Sequence, residues 1–464
     1  MDDDQSTSIV RVIAAALIVA CVGQASRAER PDDFGMRWVR SHPFTIMGLA
    51  ILPKTFDLDE YRGVNYSALL AWKPRPTILQ SAAEADYPWL LHLYGKEGPT
   101  PAFQQRVRGL LDEYEANVGM LVNDEPTLHG LNNFQQTGEV LAWLRATWPD
   151  RLHLSNIGPP GGERRHYYGK IKDPTPEQQQ EAGDYSYGQY VRDYIRIARP
   201  DVHMYDIYVF NHGEGNESGV TDYWYQSLWV NRRAALAAGL PYWIFVQTWE
   251  RPAGSRGYNV RLPSESDYRM QVFCALTYGF TGIANFMYCP GHQRDILMPG
   301  GDPSPLYEPA ARAHAEVARL GRAMRFLTST NVAHLPGRAG VRIPTYHENW
   351  KQGTAGDRRI RSIAILDDGL HRHGLIGHFR DDDGQTYFMV TNLYQHARRN
   401  ADECAVRVRI VFDPGVKTIL RLCRQTGEVE RLTILNPDEG LVIHLPGGTG
   451  DLFKYDTGGF AGIE

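Results

Sequence analysis

The chain has 464 residues, of which 42% are hydrophobic and 11% aromatic, enough to form one large domain and a smaller one. Its formal net charge is -5, from 49 Lys and Arg residues against 54 Asp and Glu residues. This balance gives no excess of basic residues with which to bind nucleic acid, so we expect no nucleic-acid partner.

The N-terminus has the pattern of an export signal. An apolar run at 12–20 is too short to span a bilayer, and Ser26-Arg27-Ala28 offers small residues at the two positions that a signal peptidase reads. We therefore predict that residues 1–28 are a signal peptide and that the protein is secreted or periplasmic. The run from Ile18 to Cys21 also resembles a bacterial lipobox, which would place a lipid anchor on Cys21 at the outer membrane or cell surface. No other segment predicts a membrane span.

Eight apolar, strand-like runs alternate with amphipathic, helix-like stretches between residues 44 and 328. The runs are Phe44–Leu52, Tyr66–Trp72, Trp89–Tyr94, Val118–Val122, Leu152–Asn156, Val202–Val209, Tyr242–Gln247 and Gly282–Tyr288. Eight β/α units in one domain predict an α/β fold, a (β/α)8 or TIM barrel, over residues 40–330.

The lengths of the connections predict which face of this barrel carries a cleft. Helix-to-strand connections are short turns, such as Gly239-Leu240-Pro241, whereas strand-to-helix connections such as 157–186 and 289–308 are long. Ordinary connections have about 4–6 residues. The long loops follow the C-terminal ends of the strands, the face where barrel enzymes place their active sites.

After about residue 332 the sequence changes to short, β-rich segments joined by turns such as Asp381–Gly384. This pattern predicts a smaller all-β sandwich over residues 335–464. Its segments contain no cluster of catalytic residue types, so we expect an accessory or packing role. Cys404 and Cys423 lie on neighbouring strand-like segments, where they either form a disulfide after export or remain buried thiols.

Carboxylates follow three of the predicted barrel strands. Asp124 and Glu125 close the fourth strand, Asp206 lies at the exit of the sixth, and Glu250 follows the seventh. We predict catalytic roles for Glu125, Glu250 and Asp206. Each has an alternative role: Glu125 could cap the next helix, Glu250 could pair with Arg251, and Asp206 could simply bind a substrate hydroxyl.

Amide and aromatic side chains accompany these carboxylates at the strand ends. The side chains predicted to bind substrate are Trp72, Asp124, Asn156, Tyr208, Gln247, Trp249 and Tyr288. Cleavage of a glycosidic bond needs two carboxyl groups on opposite sides of the bond, one of them protonated. Amides suit sugar hydroxyls and aromatic rings suit the apolar faces of sugars, although these rings could equally pack in the barrel core.

A carboxylate-Glu-Pro sequence closing strand four, with a Glu just after strand seven, resembles the large retaining glycoside hydrolase superfamily of (β/α)8 barrels. The likeness extends to uncharacterised bacterial members that carry a C-terminal β-sandwich. The superfamily usually shows Asn-Glu-Pro, whereas this chain has Asp124 in place of the Asn. The resemblance implies that Glu125 is the acid/base and Glu250 the nucleophile. A partnership of Asp124 or Glu125 with Asp206 would instead resemble the α-galactosidase arrangement.

The sequence therefore predicts a glycoside hydrolase that cleaves O-glycosidic bonds of an oligo- or polysaccharide, with carbohydrate as its partner. The alternative is a non-catalytic barrel that binds carbohydrate. Because the chain has no HxH, HExxH or CxxC pattern and no GxGxxG or GKS loop, we expect neither a metal site nor another cofactor.

Overall fold

The computed structural model describes residues 32–50, 56–127, 133–160, 175–177, 180, 186–213, 222–251, 253, 259–288, 302–337, 347–369 and 372–463. The predicted signal peptide and the predicted lipid anchor at Cys21 lie outside the described residues. No helix in the described ranges is long and apolar enough to cross a membrane.

The N-terminal part of the chain contains a parallel sheet that closes into a barrel. Its strands are β1 (Thr45–Ala50), β2 (Ala68–Trp72), β3 (Trp89–Leu93), β4 (Asn117–Val122), β5 (Leu152–Leu154), β6 (Asn156–Ile157), β7 (His203–Asp206), β8 (Tyr242–Gln247) and β9 (Gly282–Phe286). They lie in the order β5-β4-β3-β2-β1-β9-β8-β7-β6. Only Ser155 separates β5, which pairs with β4, from β6, which pairs with β7. These two pieces form one strand that completes an eight-membered barrel, so the (β/α)8 prediction is confirmed.

A helix follows each of the eight barrel strands. After α1 (Phe34–Ser41), which precedes β1, come α2 (Leu58–Gly63), α3 (Pro76–Glu84), α4 (Pro101–Glu113), α5 (Phe134–Thr147), α6 (Tyr187–Ala198), α7 (Asp222–Ala237), α8 (Glu265–Tyr278) and α9 (Tyr307–Met324). Local sequence explains several of the starts. Proline occupies the first turn of α3 and α4, and Asn133 and Ser264 form capping boxes at α5 and α8.

Alternation along the strands decides which side chains point into the barrel. Leu154 and Met204 belong to the inner hydrophobic cluster, whereas Tyr205 packs with the helices outside. Asn156 and Asp206 follow Leu154 and Met204 by two positions and therefore lie on the same inner face. The register thus brings an amide and a carboxylate to the C-terminal mouth of the barrel.

An antiparallel β-sandwich follows the barrel, as predicted. Its strands are β10 (Thr328–Leu335), β11 (Ile360–Ile365), β12 (Gly374–Arg380), β13 (Thr386–Asn392), β14 (Val406–Phe412), β15 (Thr418–Leu422), β16 (Val429–Thr433), β17 (Leu441–Leu445) and β18 (Gly450–Tyr455). They form a six-stranded sheet, β10-β12-β13-β18-β15-β16, and a three-stranded sheet, β11-β14-β17. Cys404 and Cys423 are buried free thiols, so the structure supports the thiol alternative over a disulfide.

Helix α8 lies between the barrel and the six-stranded sheet, and every residue from Ser266 to Tyr278 is buried. Glycine at position 377 of β12 allows the close approach, since a Cβ there would lie 2.2 Å from the Thr277 carbonyl oxygen. The hydroxyls of Thr277 and Thr391 are 2.6 Å apart across the same contact. The sandwich therefore covers one side of the barrel directly.

Candidate active site

The segment after β4 has an unusual backbone. Asn123, Glu125 and Thr127 all have positive φ angles, of 56°, 44° and 78°. Non-glycine residues adopt this region uncommonly, and such residues concentrate at functional sites. Hydrogen bonds hold the segment against Ser155 and the start of β6. The Glu125 N–H donates to the Asn156 carbonyl at 2.8 Å, and the Ser155 hydroxyl donates to the Asn123 carbonyl at 2.9 Å.

Asn156 joins the carboxylates of two different strands. Its side-chain N–H2 donates to Asp124 Oδ1 at 3.0 Å and to Asp206 Oδ1 at 2.9 Å. Because both oxygens accept from the same nitrogen, Asp124 Oδ1 and Asp206 Oδ1 are no farther apart than the sum of these two distances. Asp206 is only 5% exposed, so this contact is buried.

Glu125 belongs to the same carboxylate cluster electrostatically. Burial, followed by the charge of Asp124, raises the pKa of Glu125 to about 8. Burial, the charge of Glu125 and then that of Asp124 raise the pKa of Asp206 well above its ordinary value, while the bond from Asn156 opposes the shift. Since like charges in a buried site cannot all ionise together, the cluster retains protons at neutral pH. It can therefore offer a proton donor and a carboxylate within one site.

Replacing Glu125 by Gln should stabilise the folded protein at neutral and mildly alkaline pH. Below pH 4.5 both the folded and the unfolded states hold the Glu125 proton. Between pH 4.5 and about 8 only the unfolded chain releases it, so the wild type loses stability as pH rises through this window. One pKa unit corresponds to about 1.4 kcal/mol, which solvent screening at this partly exposed carboxyl reduces. We expect Glu125→Gln to gain on the order of 1–2 kcal/mol at pH 8 and nothing at pH 4.

Urea unfolding of the two proteins between pH 4 and pH 9 measures this gain. The exposed Glu428 of the sandwich provides a matched control as Glu428→Gln, which should follow the wild type at every pH. A gain from Glu125→Gln that is as large at pH 4 as at pH 8 would contradict ionisation as its cause.

Glu250 lies in the loop after β8. Its Oε2 accepts the backbone N–H of Leu262 at 3.0 Å. The carboxylates that raise the pKa of Asp206 are Glu125 and Asp124. The structure thus gives Glu250 a contact within its own loop and brings Asp206 close to the carboxylates that follow β4.

Gln247 is buried and its amide contacts the backbone on both sides. Its Oε1 accepts the Phe210 N–H at 3.0 Å, and its Nε2 donates to the carbonyls of Phe210 at 3.1 Å and Arg261 at 2.7 Å. These bonds tie the loops after β7 and β8 together. The predicted substrate contact would have to displace them, so the structure favours a supporting role for Gln247.

Trp72 lies on the inner side of the barrel mouth, next to strand three. Its ring stacks on His92 with centroids 3.9 Å apart and planes within 3°. Tyr94 meets His92 edge-on at 4.7 Å. Burial, then the charges of Asp124 and Glu125, raise the pKa of Tyr94.

Tyr208 and Trp249 form a second aromatic group with Phe286. Tyr208 is 5.2 Å from Phe286 and 5.6 Å from Trp249 between ring centroids. Tyr288 lies elsewhere, packed at 4.7 Å against Tyr61 in the hydrophobic layer that contains the helices. The structure therefore separates Tyr288 from the other predicted stacking residues.

Two residues near the site escaped the sequence prediction. Phe286, the last residue of β9, shares the inner face with Ala284. Strict alternation along the strand could have identified it from the sequence. Tyr190 of α6 is buried, and the charges of Glu125 and Asp206 add to burial in raising its pKa. No sequence motif pointed to Tyr190.

The described part of the chain contains no group of three His, Cys, Asp or Glu side chains arranged to hold a metal ion.

No protein-family model and no curated protein sequence matches the chain. Among solved structures, it is similar to a GH2 β-galacturonidase from Eisenbergiella tayi bound to galacturonate, with 13% identity and a TM-score of 0.38 over 58% of this chain and 50% of that chain. It is similar to a β-glucuronidase from Ruminococcus gnavus, with 11% identity and a TM-score of 0.37 over 59% and 50%. It is also similar to a candidate α-L-fucosidase from Bacteroides thetaiotaomicron, with 9% identity and a TM-score of 0.40 over 60% of this chain and 96% of that chain. The chain spans about half the length of the first two proteins, and the fold rests on its own strand order.

Proposed function

We propose that the protein is a glycoside hydrolase that cleaves O-glycosidic bonds of an oligo- or polysaccharide by a retaining mechanism. Glu125 is the acid/base and Asp206 is the nucleophile. The observation that carries this proposal is the buried carboxylate cluster, in which Asn156 bonds Asp124 and Asp206 and the charge of Glu125 acts on Asp206.

The raised pKa of Glu125 suits a proton donor. In the first step Glu125 gives its proton to the glycosidic oxygen, while a carboxylate oxygen of Asp206 attacks the anomeric carbon. The bond from that carbon to the glycosidic oxygen breaks, and its electron pair stays on the oxygen. In the second step Glu125 takes a proton from water, whose oxygen attacks the anomeric carbon and displaces Asp206.

Asp206 is a better nucleophile candidate than Glu250 for two reasons. It lies on the inner face of the barrel with Asn156, whereas the Glu250 carboxylate bonds the backbone of its own loop. Burial and the charges of Glu125 and Asp124 raise the pKa of Asp206, and the N–H of Asn156 opposes that rise in favour of the ionised form that attack on carbon requires. We thus pair Glu125, which follows β4, with Asp206 of β7, in place of Glu250 after β8, the nucleophile that the superfamily resemblance implies.

Asn156 has a second function in this proposal. Its side-chain oxygen is buried and, among the described residues, has no hydrogen-bond partner. A buried acceptor without a donor is costly, and a sugar hydroxyl would supply the donor. Asn156 then positions the two carboxylates with its nitrogen and the substrate with its oxygen.

The test is a panel of 4-nitrophenyl α- and β-glycosides of neutral hexoses, pentoses, deoxyhexoses and uronic acids, together with oligosaccharides of the same sugars. We expect hydrolysis of at least one of them, and proton NMR of the first sugar released should show the anomer of the substrate. Release of the opposite anomer would refute retention. Binding of an oligosaccharide without any hydrolysis would favour the non-catalytic carbohydrate-binding barrel.

A further inference from the structure

Two groups of aromatic side chains lie on either side of the carboxylate cluster. The Trp72 platform consists of Trp72, His92 and Tyr94, from the ends of β2 and β3. The Tyr208 platform consists of Tyr208, Trp249 and Phe286, from the ends of β7, β8 and β9. The hydrophobic cluster inside the barrel includes Trp249, and Trp72, Tyr208 and Phe286 pack against it. Since these residues lie at the C-terminal ends of the strands, both platforms are at the mouth of the barrel.

The Trp72 platform presents a fixed ring. His92 is fully buried and covers one face of the half-buried Trp72 indole at 3.9 Å, so the exposed part of the indole lies on the other side. Burial lowers the pKa of His92 to about 3, which keeps the stack uncharged. A ring that is already immobilised loses little freedom when a ligand stacks on it.

The Tyr208 platform is also preassembled. Trp249 is 2% exposed and meets Phe286 edge-on at 5.3 Å, while Tyr208 and Phe286 remain half-buried. The buried indole therefore supports two rings that keep part of their surface available. Partly exposed aromatic rings at a cleft suit the apolar face of a sugar ring.

Each platform lies beside one of the two proposed catalytic carboxyls. The segment that carries Tyr94 is bonded to the segment after β4, because the Asn123 N–H donates to the Leu93 carbonyl at 3.0 Å and Asn123 Oδ1 accepts the Gly95 N–H at 2.7 Å. The charges of Asp124 and Glu125 accordingly add to burial in raising the pKa of Tyr94. Tyr208 follows Asp206 by two positions on the inner face of the same segment. The proton donor is thus next to the Trp72 platform, and the nucleophile is next to the Tyr208 platform.

We propose that these platforms are two sugar subsites with different functions. The sugar that leaves in the first step stacks on the Trp72 platform, because its glycosidic oxygen must receive the proton of Glu125. The sugar that becomes bonded to Asp206 stacks on the Tyr208 platform. The substrate is therefore an oligosaccharide with a sugar ring on both sides of the cleaved bond, an inference that rests on the proposed function.

Glycosyl fluorides and disaccharides separate the two subsites, because a fluoride carries no leaving sugar. The probes are glycosyl fluorides and disaccharides of glucose, galactose, mannose, xylose and fucose in both anomeric series. Trp72→Ala should lower the ratio of kcat/KM for a disaccharide to kcat/KM for its fluoride by about tenfold or more. Tyr208→Leu should lower both values together and keep the ratio within about twofold of the wild type.

Trp229 of α7 is the matched control, since its ring contacts the Arg233 guanidinium on another part of the barrel. Trp229→Ala should keep the wild-type ratio. An equal loss on both probe types in Trp72→Ala, or a disaccharide-selective loss in Tyr208→Leu, would overturn the assignment of the subsites.

Failure of the proposed function gives a different result, namely a wild type that hydrolyses neither type of probe. Calorimetric titration with the same disaccharides then decides the question of the subsites. They stand if a disaccharide binds the wild type and binds at least about tenfold more weakly to both platform variants. They fall if no disaccharide binds, or if either variant binds as tightly as the wild type.

Discussion

Asp206→Ala and Glu125→Ala are expected to be inactive in chemically different ways. On a 2,4-dinitrophenyl glycoside, whose leaving group needs no proton, Asp206→Ala should lose about 10³-fold or more in kcat/KM because no covalent intermediate forms. Azide should restore turnover by attacking from the side of the missing carboxylate, which gives a glycosyl azide of inverted configuration. Glu125→Ala should still form the intermediate, and azide should then give the product of retained configuration.

The loss in Glu125→Ala should depend on the leaving group. With an unactivated disaccharide, removal of the proton donor should lower kcat/KM by about 10²–10⁴-fold. With the dinitrophenyl glycoside the first step should survive and hydrolysis of the intermediate should slow, so that KM falls together with kcat. A Glu125 variant that loses equally on both substrates would contradict a proton-donor function.

Glu250→Gln is the comparison that separates the two nucleophile assignments. We expect it to lose less than about tenfold in kcat/KM on the dinitrophenyl glycoside, because its carboxylate bonds the Leu262 backbone within its own loop. If Glu250→Ala, rather than Asp206→Ala, is the variant that azide rescues with inversion, the nucleophile is Glu250 and the Asp206 assignment is wrong.

The sequence could predict the barrel because burial leaves a direct trace in it. Strands such as Tyr242–Gln247 are covered on both faces and therefore read as continuous apolar runs. The same logic placed Asn156 and Asp206 at the mouth, since each follows a buried apolar strand. The contact between Asn156 and Asp206 was not predictable from the sequence. It depends on the strand register at Ser155, where the chain changes from pairing with β4 to pairing with β7.

Side chains beyond the strand ends were less predictable. The left-handed conformations of Asn123 and Glu125 turn the segment after β4, and neither residue is a glycine that would have signalled them. Tyr288 is two residues past the end of β9 and packs against Tyr61 in the layer between the barrel strands and the helices. Gln247 is inside the barrel as its position implies, but neighbouring loops use its amide. Alternation along a strand predicts to which face a side chain points, but it does not predict which groups that side chain will contact.

A chain that ends at Leu327 is expected not to fold, because the sandwich completes the outer layer of the barrel. Leu375, Phe379 and Met389 of the six-stranded sheet belong to the same hydrophobic cluster as the barrel helices. Arg269 of α8 bonds the Thr449 hydroxyl at 2.7 Å and pairs with Glu316, which also pairs with Arg424 of the sandwich at 3.1 Å. Truncation would expose this apolar face, which costs several kcal/mol, and would remove Thr449 and Arg424 as partners of Arg269 and Glu316.

A point substitution in the intact chain tests the same contact without truncation. Gly377→Val should lower the free energy of unfolding by about 3 kcal/mol, because the Cβ position is 2.2 Å from the Thr277 carbonyl oxygen. Gly459→Val is the matched control, since no atom lies within 4 Å of a Cβ there. Calorimetry of the wild type should show one cooperative transition for barrel and sandwich together. Two separate transitions, or a truncated chain with native circular dichroism, would mean that the barrel folds alone and that the sandwich is an appended module.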